Sequence, residues 1–268
     1  LAEADSALLV LAIYNLKGNE ALLARQLAAV LHKTVYEASS RVRAPGGGPS
    51  VIASFAEPRV AHDAAEVLRA RGFDTLLLDE SEIEADARRF LVRRFELGAE
   101  SMVVESRRAR LEARYSDVDL LLRGVVITAR RPAVPPTMPG TRRISLARAA
   151  LTGGLIMTKP VHPARPPAIE EREGFLHLYG RGLPPLVWRE SEVHYRSLGG
   201  AALHPSRQAN FADLIGELRR RCPQASYDER LASRAGQAQL LGPSLSPREH
   251  LDVAISVLAD ALRQPAAP

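Results

Sequence analysis

Cysteine is almost absent: Cys222 is the only one in 268 residues. That excludes an intramolecular disulfide and any metal centre built on several thiolates. A chain of this size without disulfides fits a reducing compartment, so a cytoplasmic protein is expected. Lysine is nearly as scarce, with Lys17, Lys33 and Lys159 against 33 arginines. Such a bias, alongside abundant alanine, reflects a GC-rich bacterial genome before it reflects a function. No apolar run approaches the roughly 18 residues of a membrane-spanning helix. The stretch from Ala7 to Tyr14 is too short, and it lacks the basic start and small-residue cleavage site of a signal peptide. Aromatic residues make up 5% of the chain, and Tyr115 is the only one between Glu96 and Arg148. Binding of single-stranded nucleic acid by base stacking is therefore not favoured there.

Chemical motifs are missing too. Gly46-Gly47-Gly48 and Gly153-Gly154 are the glycine clusters, and neither continues into the Lys-Ser/Thr and helix of a phosphate-binding loop. The histidines at 32, 62, 162, 177, 194, 204 and 250 include no pair spaced i, i+4, so no helix presents two of them as metal ligands. His177 and His194 read as structural residues in strands. There is no G-x-S-x-G elbow. Cys222 ends a helix beside Arg219, Arg220 and Arg221, but a helix C-terminus opposes thiolate formation, and it reads as structural. Asp117 and Asp119 share a strand face and could mimic a carboxylate pair. The plainer reading is a polar strand end beside Arg114 and Arg123. No cofactor, no metal and no catalytic residue is assigned, and an enzyme is the less favoured reading.

What is there is an uneven charge. The net charge is +5, yet Asp86 to Arg148 holds 14 arginines against 7 acidic residues. The remainder is close to balanced. A basic face of this kind attracts nucleic acid, acidic lipid or an acidic protein, and Arg107, Arg108, Arg110 and Arg114 are its candidate polyanion-binding residues.

The pattern of apolar residues gives an α+β protein. Ala7–Tyr14 reads as a buried strand. Asn19 caps a helix carrying Leu22, Leu23, Leu27, Val30 and Leu31, and Thr34 caps a second with Val35, Ala38 and Val42. After a turn at Pro45–Pro49, Val51–Phe55 is a strand, Pro58–Gly72 a helix and Phe73–Leu78 a strand. Ser81-Glu82-Ile83-Glu84 has capping-box spacing and starts a short connecting helix. Phe90–Leu97 is ambiguous between helix and strand. Strands are expected at Met102–Glu105, Arg110–Tyr115, Val118–Thr128, Phe175–Tyr179, Pro185–Trp188 and Val193–Tyr195. Proline-rich loops are expected at Pro132–Gly140 and Pro160–Pro167. A helix with Phe211, Leu214, Ile215 and Leu218 follows Pro205, and the chain from Gln224 on reads as helical. Its last helix starts at Ser246-Pro247-Arg248-Glu249 and carries Leu251, Val253, Ala254, Val257, Leu258, Ala261 and Leu262 on a broad apolar face.

Two architectural resemblances follow. The Leu9–Tyr14 strand, the Leu22–Leu31 and Val35–Val42 helices, and the Pro58–Gly72 helix leading into Phe73–Leu78 resemble the α/β sandwich of the ribosomal stalk protein C-terminal domain and the Clp protease adaptor. The adaptor family carries an Asn-Asp pair after its first strand, where this chain has Asn15-Leu16, and a later histidine, where it has Arg41-Val42-Arg43. The second stretch, with Tyr115-Ser116-Asp117-Val118 leading into Leu120–Arg123, Trp188-Arg189-Glu190 late and Asn210-Phe211 opening a closing helix, resembles a pleckstrin-homology-like barrel. The expected layout is a small β-α-α-β-α-β sandwich at 1–80, a connector at 81–89, an antiparallel β-rich domain at 90–222 and a helical extension at 223–268. Both resemblances imply recognition of proteins, peptides or lipids. The expectation is therefore a non-catalytic adaptor or regulatory protein that binds another protein. The alternatives are binding of acidic lipid or nucleic acid through 86–148, and an enzyme whose site the fold assembles.

Overall fold

The computed structural model describes residues 9–44, 47–79, 81–83, 85–130, 143–144, 158–159, 169–198 and 203–264. Both proline-rich loops, Gly46, Glu84, Gly153, Gly154 and His162 lie outside them. The chain forms two compact units, Leu1–Val126 with Glu173–Pro268, and Ile127–Arg172.

The first unit opens with β1 (Leu9–Tyr14), α1 (Glu20–Leu31), α2 (Val35–Val42), β2 (Ser50–Phe55), α3 (Pro58–Ala70) and β3 (Asp74–Asp79). This is the β-α-α-β-α-β order that the apolar pattern predicts. The local reasons are visible at the helix starts. The Asn19 side chain accepts from the backbone N–H groups of Ala21 and Leu22, and Thr34 and Glu37 form a reciprocal capping box. Pro58 opens α3, where its missing N–H costs nothing. The strands pair antiparallel in the order β2-β1-β3.

Then come β4 (Phe90–Val92), β5 (Arg94–Leu97), β6 (Ser101–Glu105), β7 (Arg110–Arg114) and β8 (Val118–Arg130). The Phe90–Leu97 run is strand, broken at Arg93, whose N–H goes to the Glu105 carbonyl. In the second unit β9 (Arg143–Ile144) pairs antiparallel with β10 (Thr158–Lys159). The chain continues through β11 (Ile169–Gly180), β12 (Leu186–Arg189), α4 (Arg207–Arg221), β13 (Ser226–Leu231), α5 (Arg234–Leu241) and α6 (Leu251–Arg263).

The α+β class stands, but the expected barrel does not. Among the described residues β13-β8-β11-β12-β4 make an open five-stranded sheet, and β5-β6-β7 a separate antiparallel one. Two pairings, β12 with β4 and β13 with β8, are parallel, where an antiparallel meander is expected. A strand that enters from a distant part of the chain brings its own direction, and local alternation does not reveal it. Three further expectations are corrected. Ser226–Leu231 is a strand, not part of a helical tail. Val193–Tyr195 leads into a 3-10 turn at Tyr195–Ser197. The last helix begins at Leu251, because Ser246–His250 is a turn whose Ser246 carbonyl accepts from both Glu249 and His250. In the connector, residues 81–83 form a turn and Asp86–Arg88 a 3-10 turn.

Three apolar clusters stack through the first unit. Leu11 and Ile13 of β1 face Leu27, Leu68 and Phe73 beneath the three helices. Val10 and Ala12, on the opposite face of β1, share a second cluster with Leu120, Leu122, Phe175 and the residues of α6. The other side of the five-stranded sheet, Leu121, Leu176, Leu178 and Trp188, packs with Phe95, Met102, Val104 and the α4 residues Phe211, Leu214 and Leu218. Both faces of β1 are therefore buried, which is why its sequence is a continuous apolar run instead of an alternation. Among the described residues, no helix is long and apolar enough to cross a membrane.

Candidate functional site

The exposed face of the β5-β6-β7 sheet follows from period-2 alternation. Phe95, Met102, Val104 and Ala113 point into the core. Their neighbours Arg94, Glu96, Val103, Glu105, Arg110, Glu112 and Arg114 take the other face. Register places Arg94 opposite Glu105 and Glu105 opposite Arg110, so one cross-strand row reads plus, minus, plus. The next row is Glu96, Val103 and Glu112, and Ser101 pairs with Arg114 beyond it.

The ion pairs across this face are not evenly shared. Arg110 reaches Glu105 at 3.4 Å and Glu96 at 3.9 Å. The Ser101 hydroxyl donates to Glu112 at 2.7 Å. Arg94, although in register with Glu105, has no carboxylate within ion-pair distance among the described residues.

Beside β5 the chain returns after β12. The His194 N–H donates to the Arg93 carbonyl at 2.9 Å, which sets the 3-10 turn Tyr195–Ser197 along the strand. Tyr195 anchors that turn. Its ring is buried and its hydroxyl donates to the Glu190 carbonyl at 2.8 Å; burial, with the nearby Glu190 charge, drives the phenol far above its ordinary range. His194, Arg196 and Ser197 are thereby left on the outside. Together with Arg94, Glu96, Val103 and Glu105 they line an open groove of about 580 Å³. Among the described residues neither Arg196 nor the His194 side chain has an acidic partner. The groove thus gathers two unpaired guanidiniums, an imidazole and a hydroxyl, with its two carboxylates drawn toward Arg110.

None of the four arginines singled out by charge counting is among the residues that line this groove. Arg107 and Arg108 sit at the exposed β6–β7 turn, Arg110 is engaged by Glu96 and Glu105, and Arg114 is exposed at the far end of β7. The residues that do converge with Arg94 are His194, Arg196 and Ser197. Sequence reasoning misses them because they lie about 100 positions downstream in a segment that reads as a strand. The one available signal is the polar-apolar alternation of Arg94-Phe95-Glu96-Leu97.

The other candidates have structural explanations. Asp119 accepts from Nε and Nη2 of Arg263 at 3.0 and 3.2 Å, so it is held in an ion pair and not aimed at a substrate beside Asp117. His177 is buried, with Nδ1 3.2 Å from the Tyr179 hydroxyl. Cys222 is buried and its thiol is pushed up to about 11 by desolvation, against a smaller opposing effect of Arg221; it stays protonated at neutral pH. Among the described residues no three His, Cys, Asp or Glu side chains come together as metal ligands. A second groove, of about 430 Å³ between α1 and α2, is lined by Ala21, Arg25, Val35 and Ser39, with the Glu20–Arg43 pair at its edge. No protein-family model, curated protein or solved structure matches this chain.

Proposed function

We propose that this chain is a non-catalytic interaction protein, an adaptor or regulatory module of the cytoplasm, that binds an acidic segment of another protein in the groove beside β5. Fold does not fix function, so the reading rests on the site. The observation that carries it is the unequal use of charge: both groove glutamates lean on Arg110, while Arg94 and Arg196 face the same space without a carboxylate partner among the described residues. An anion seated between two guanidiniums replaces their mutual repulsion with charge-assisted hydrogen bonds, which are stronger than neutral ones. A continuous polyanion such as nucleic acid, or an acidic membrane, is the second reading, and it has less support. Laid along the sheet face, it would pass over Glu96, Glu105 and Glu112, which interleave with the arginines. An enzymatic reading would need a nucleophile hydrogen-bonded to a base, and among the described residues no hydrogen bond joins the His194 side chain to Ser197 in the groove, while the buried Cys222 thiol and the paired Asp119 stand apart from it.

The test is fluorescence anisotropy with a short labelled peptide rich in Glu and Asp, at low salt. Arg94→Glu and Arg196→Glu are each expected to weaken binding by about tenfold, and added salt to weaken it further. The double change Arg107→Glu with Arg108→Glu should leave binding nearly intact. Equal loss at the hairpin tip would move the site to a diffuse polyanion surface. No binding of the acidic peptide at low ionic strength would remove the proposal.

A further inference from the structure

We infer that the anion held in this groove is a phosphate monoester carried by the partner segment, an inference that rests on the interaction reading above and deepens it. The first argument is the number of donors. Arg94 stands on β5, and His194, Arg196 and Ser197 stand on the facing turn, all lining one space. A carboxylate has two oxygens with about four acceptor positions, and two forked guanidiniums fill them. The Ser197 hydroxyl and the His194 imidazole would then have little left to hold. A phosphate monoester presents three strong acceptor oxygens and a charge of roughly −1.5 to −2 at neutral pH, and it suits donors arriving from two walls. Arginine is also the side chain whose fixed fork matches phosphate geometry.

The second argument is what surrounds the donors. Two arginines, Arg94 and Arg196, line the groove with two glutamates, Glu96 and Glu105, and both glutamates pair with Arg110, which is not part of the lining. The positive charge left without an ion-pair partner among the described residues is localised at Arg94 and Arg196. Glu96 flanks the cations in the first row beyond them, and Glu112 lies across from Val103 in the same row. One compact anionic group beside the turn meets fewer of these carboxylates than a chain of phosphates or a charged bilayer surface would. The groove, at about 580 Å³, also exceeds the size of one phosphate and leaves room for neighbouring peptide atoms over half-buried Val103.

The inference is tested with three short peptide libraries, randomised except at one central position that is phosphoserine, glutamate or serine. The full-length protein is titrated into each. Phosphoserine peptides are expected to bind about tenfold more tightly than glutamate ones, a gap of one extra charge-assisted hydrogen bond. Inorganic phosphate at millimolar concentration should compete. Arg94→Ala and Arg196→Ala should each abolish the phosphoserine preference, and Arg107→Ala should not. Equal affinity for the glutamate library would overturn the inference and leave the acidic-segment reading intact. Binding of neither library would overturn both. Binding to vesicles containing phosphatidic acid, with none to phosphoserine peptides, would overturn the inference by assigning the donors to a membrane surface.

Discussion

Phe175 of β11 occupies the space that a side chain at position 124 of β8 would need. A Cβ added to Gly124 would lie 2.1 Å from Cζ of the ring, and the ring itself is buried. The glycine is thus a close-approach site between neighbouring strands and not a loop residue, although from sequence alone it looks like a break in the Val118–Thr128 run. Gly124→Ala is expected to destabilise the protein by about 1–3 kcal/mol through overpacking. Combining it with Phe175→Leu, which vacates part of the clash, should cost less than the sum of the single changes, with a coupling of about 0.5–3 kcal/mol. Urea denaturation of the four proteins measures this. Strict additivity would show that the two residues do not meet as described. At the same scale, Arg41 shows how one side chain joins distant segments: its guanidinium reaches from α2 to the Gln239 carbonyl of α5 at 2.7 Å.

The C-terminal helix is the element that joins most of the first unit. An amphipathic surface helix buries one stripe, but in α6 every residue from Val253 to Ala259 is buried. A helix covered on all sides sits inside a core. Its neighbours in that core are Val10 and Leu78 from the first sheet, Leu120, Leu122 and Phe175 from the five-stranded sheet, and Leu240 and Leu241 of α5. Leu258 is completely buried, so Leu258→Ala is expected to cost about 2–5 kcal/mol and lower the thermal midpoint. The exposed Leu22→Ala on α1, 55% accessible, is the matched control and should change stability little. If the two variants melt alike, α6 does not occupy the core. The sequence reading finds this helix and gives it one broad apolar face that includes Val253 and Ala254, but leaves Ile255, Ser256 and Ala259 off it. Small residues let neighbouring elements approach closely, and a hydrophobicity pattern does not register that.

Across the whole first unit, charge is organised as a chain of alternating partners. Arg93 pairs with Glu192 at 2.8 Å, Glu192 with Arg189 at 3.9 Å, Arg189 with Asp86 at 2.7 Å, Asp86 with Arg89 at 3.1 Å, and Arg89 with Asp252 at 2.8 Å. The chain ties the connector, β12, the turn after it and the first turn of α6 together. Partial burial alone would raise the Asp86 carboxyl, but the hydrogen bonds and charges of Arg189 and Arg89 outweigh it and hold the group below its ordinary value. A depressed folded-state value means the contribution is complete above the unfolded-state value near pH 4 and disappears as pH falls through the lower folded-state value. Stability measured by denaturant between pH 6 and pH 2 should therefore fall in the acid range. Asp86→Asn should be less stable at neutral pH and show a shallower acid slope. An unchanged slope would mean that Asp86 makes no net contribution through these arginines.

The α+β class, the first six elements and their caps were legible from sequence, because each rests on contacts within a few residues: Asn19 on α1, the Thr34–Glu37 box on α2, Pro58 on α3. Strand character at β6, β7 and β8 was legible as well. Tertiary structure alone decided the rest. Ser226-Tyr227-Asp228-Glu229-Arg230-Leu231 has too few apolar residues to signal a strand, and it becomes β13 because β8 offers a backbone edge roughly 100 residues away in sequence. The open mixed sheet replaced the expected barrel for the same reason, since the direction of a distant partner strand is set by packing. The groove belongs to this second class as well. The sequence places a surplus of arginine in 86–148, but which arginines pair depends on where side chains reach across the sheet: Glu105 is in register with both Arg94 and Arg110, and it and Glu96 reach Arg110. His194, Arg196 and Ser197 share a groove with Arg94 because the backbone hydrogen bond from the His194 N–H to the Arg93 carbonyl, with the buried Tyr195, sets that turn beside β5.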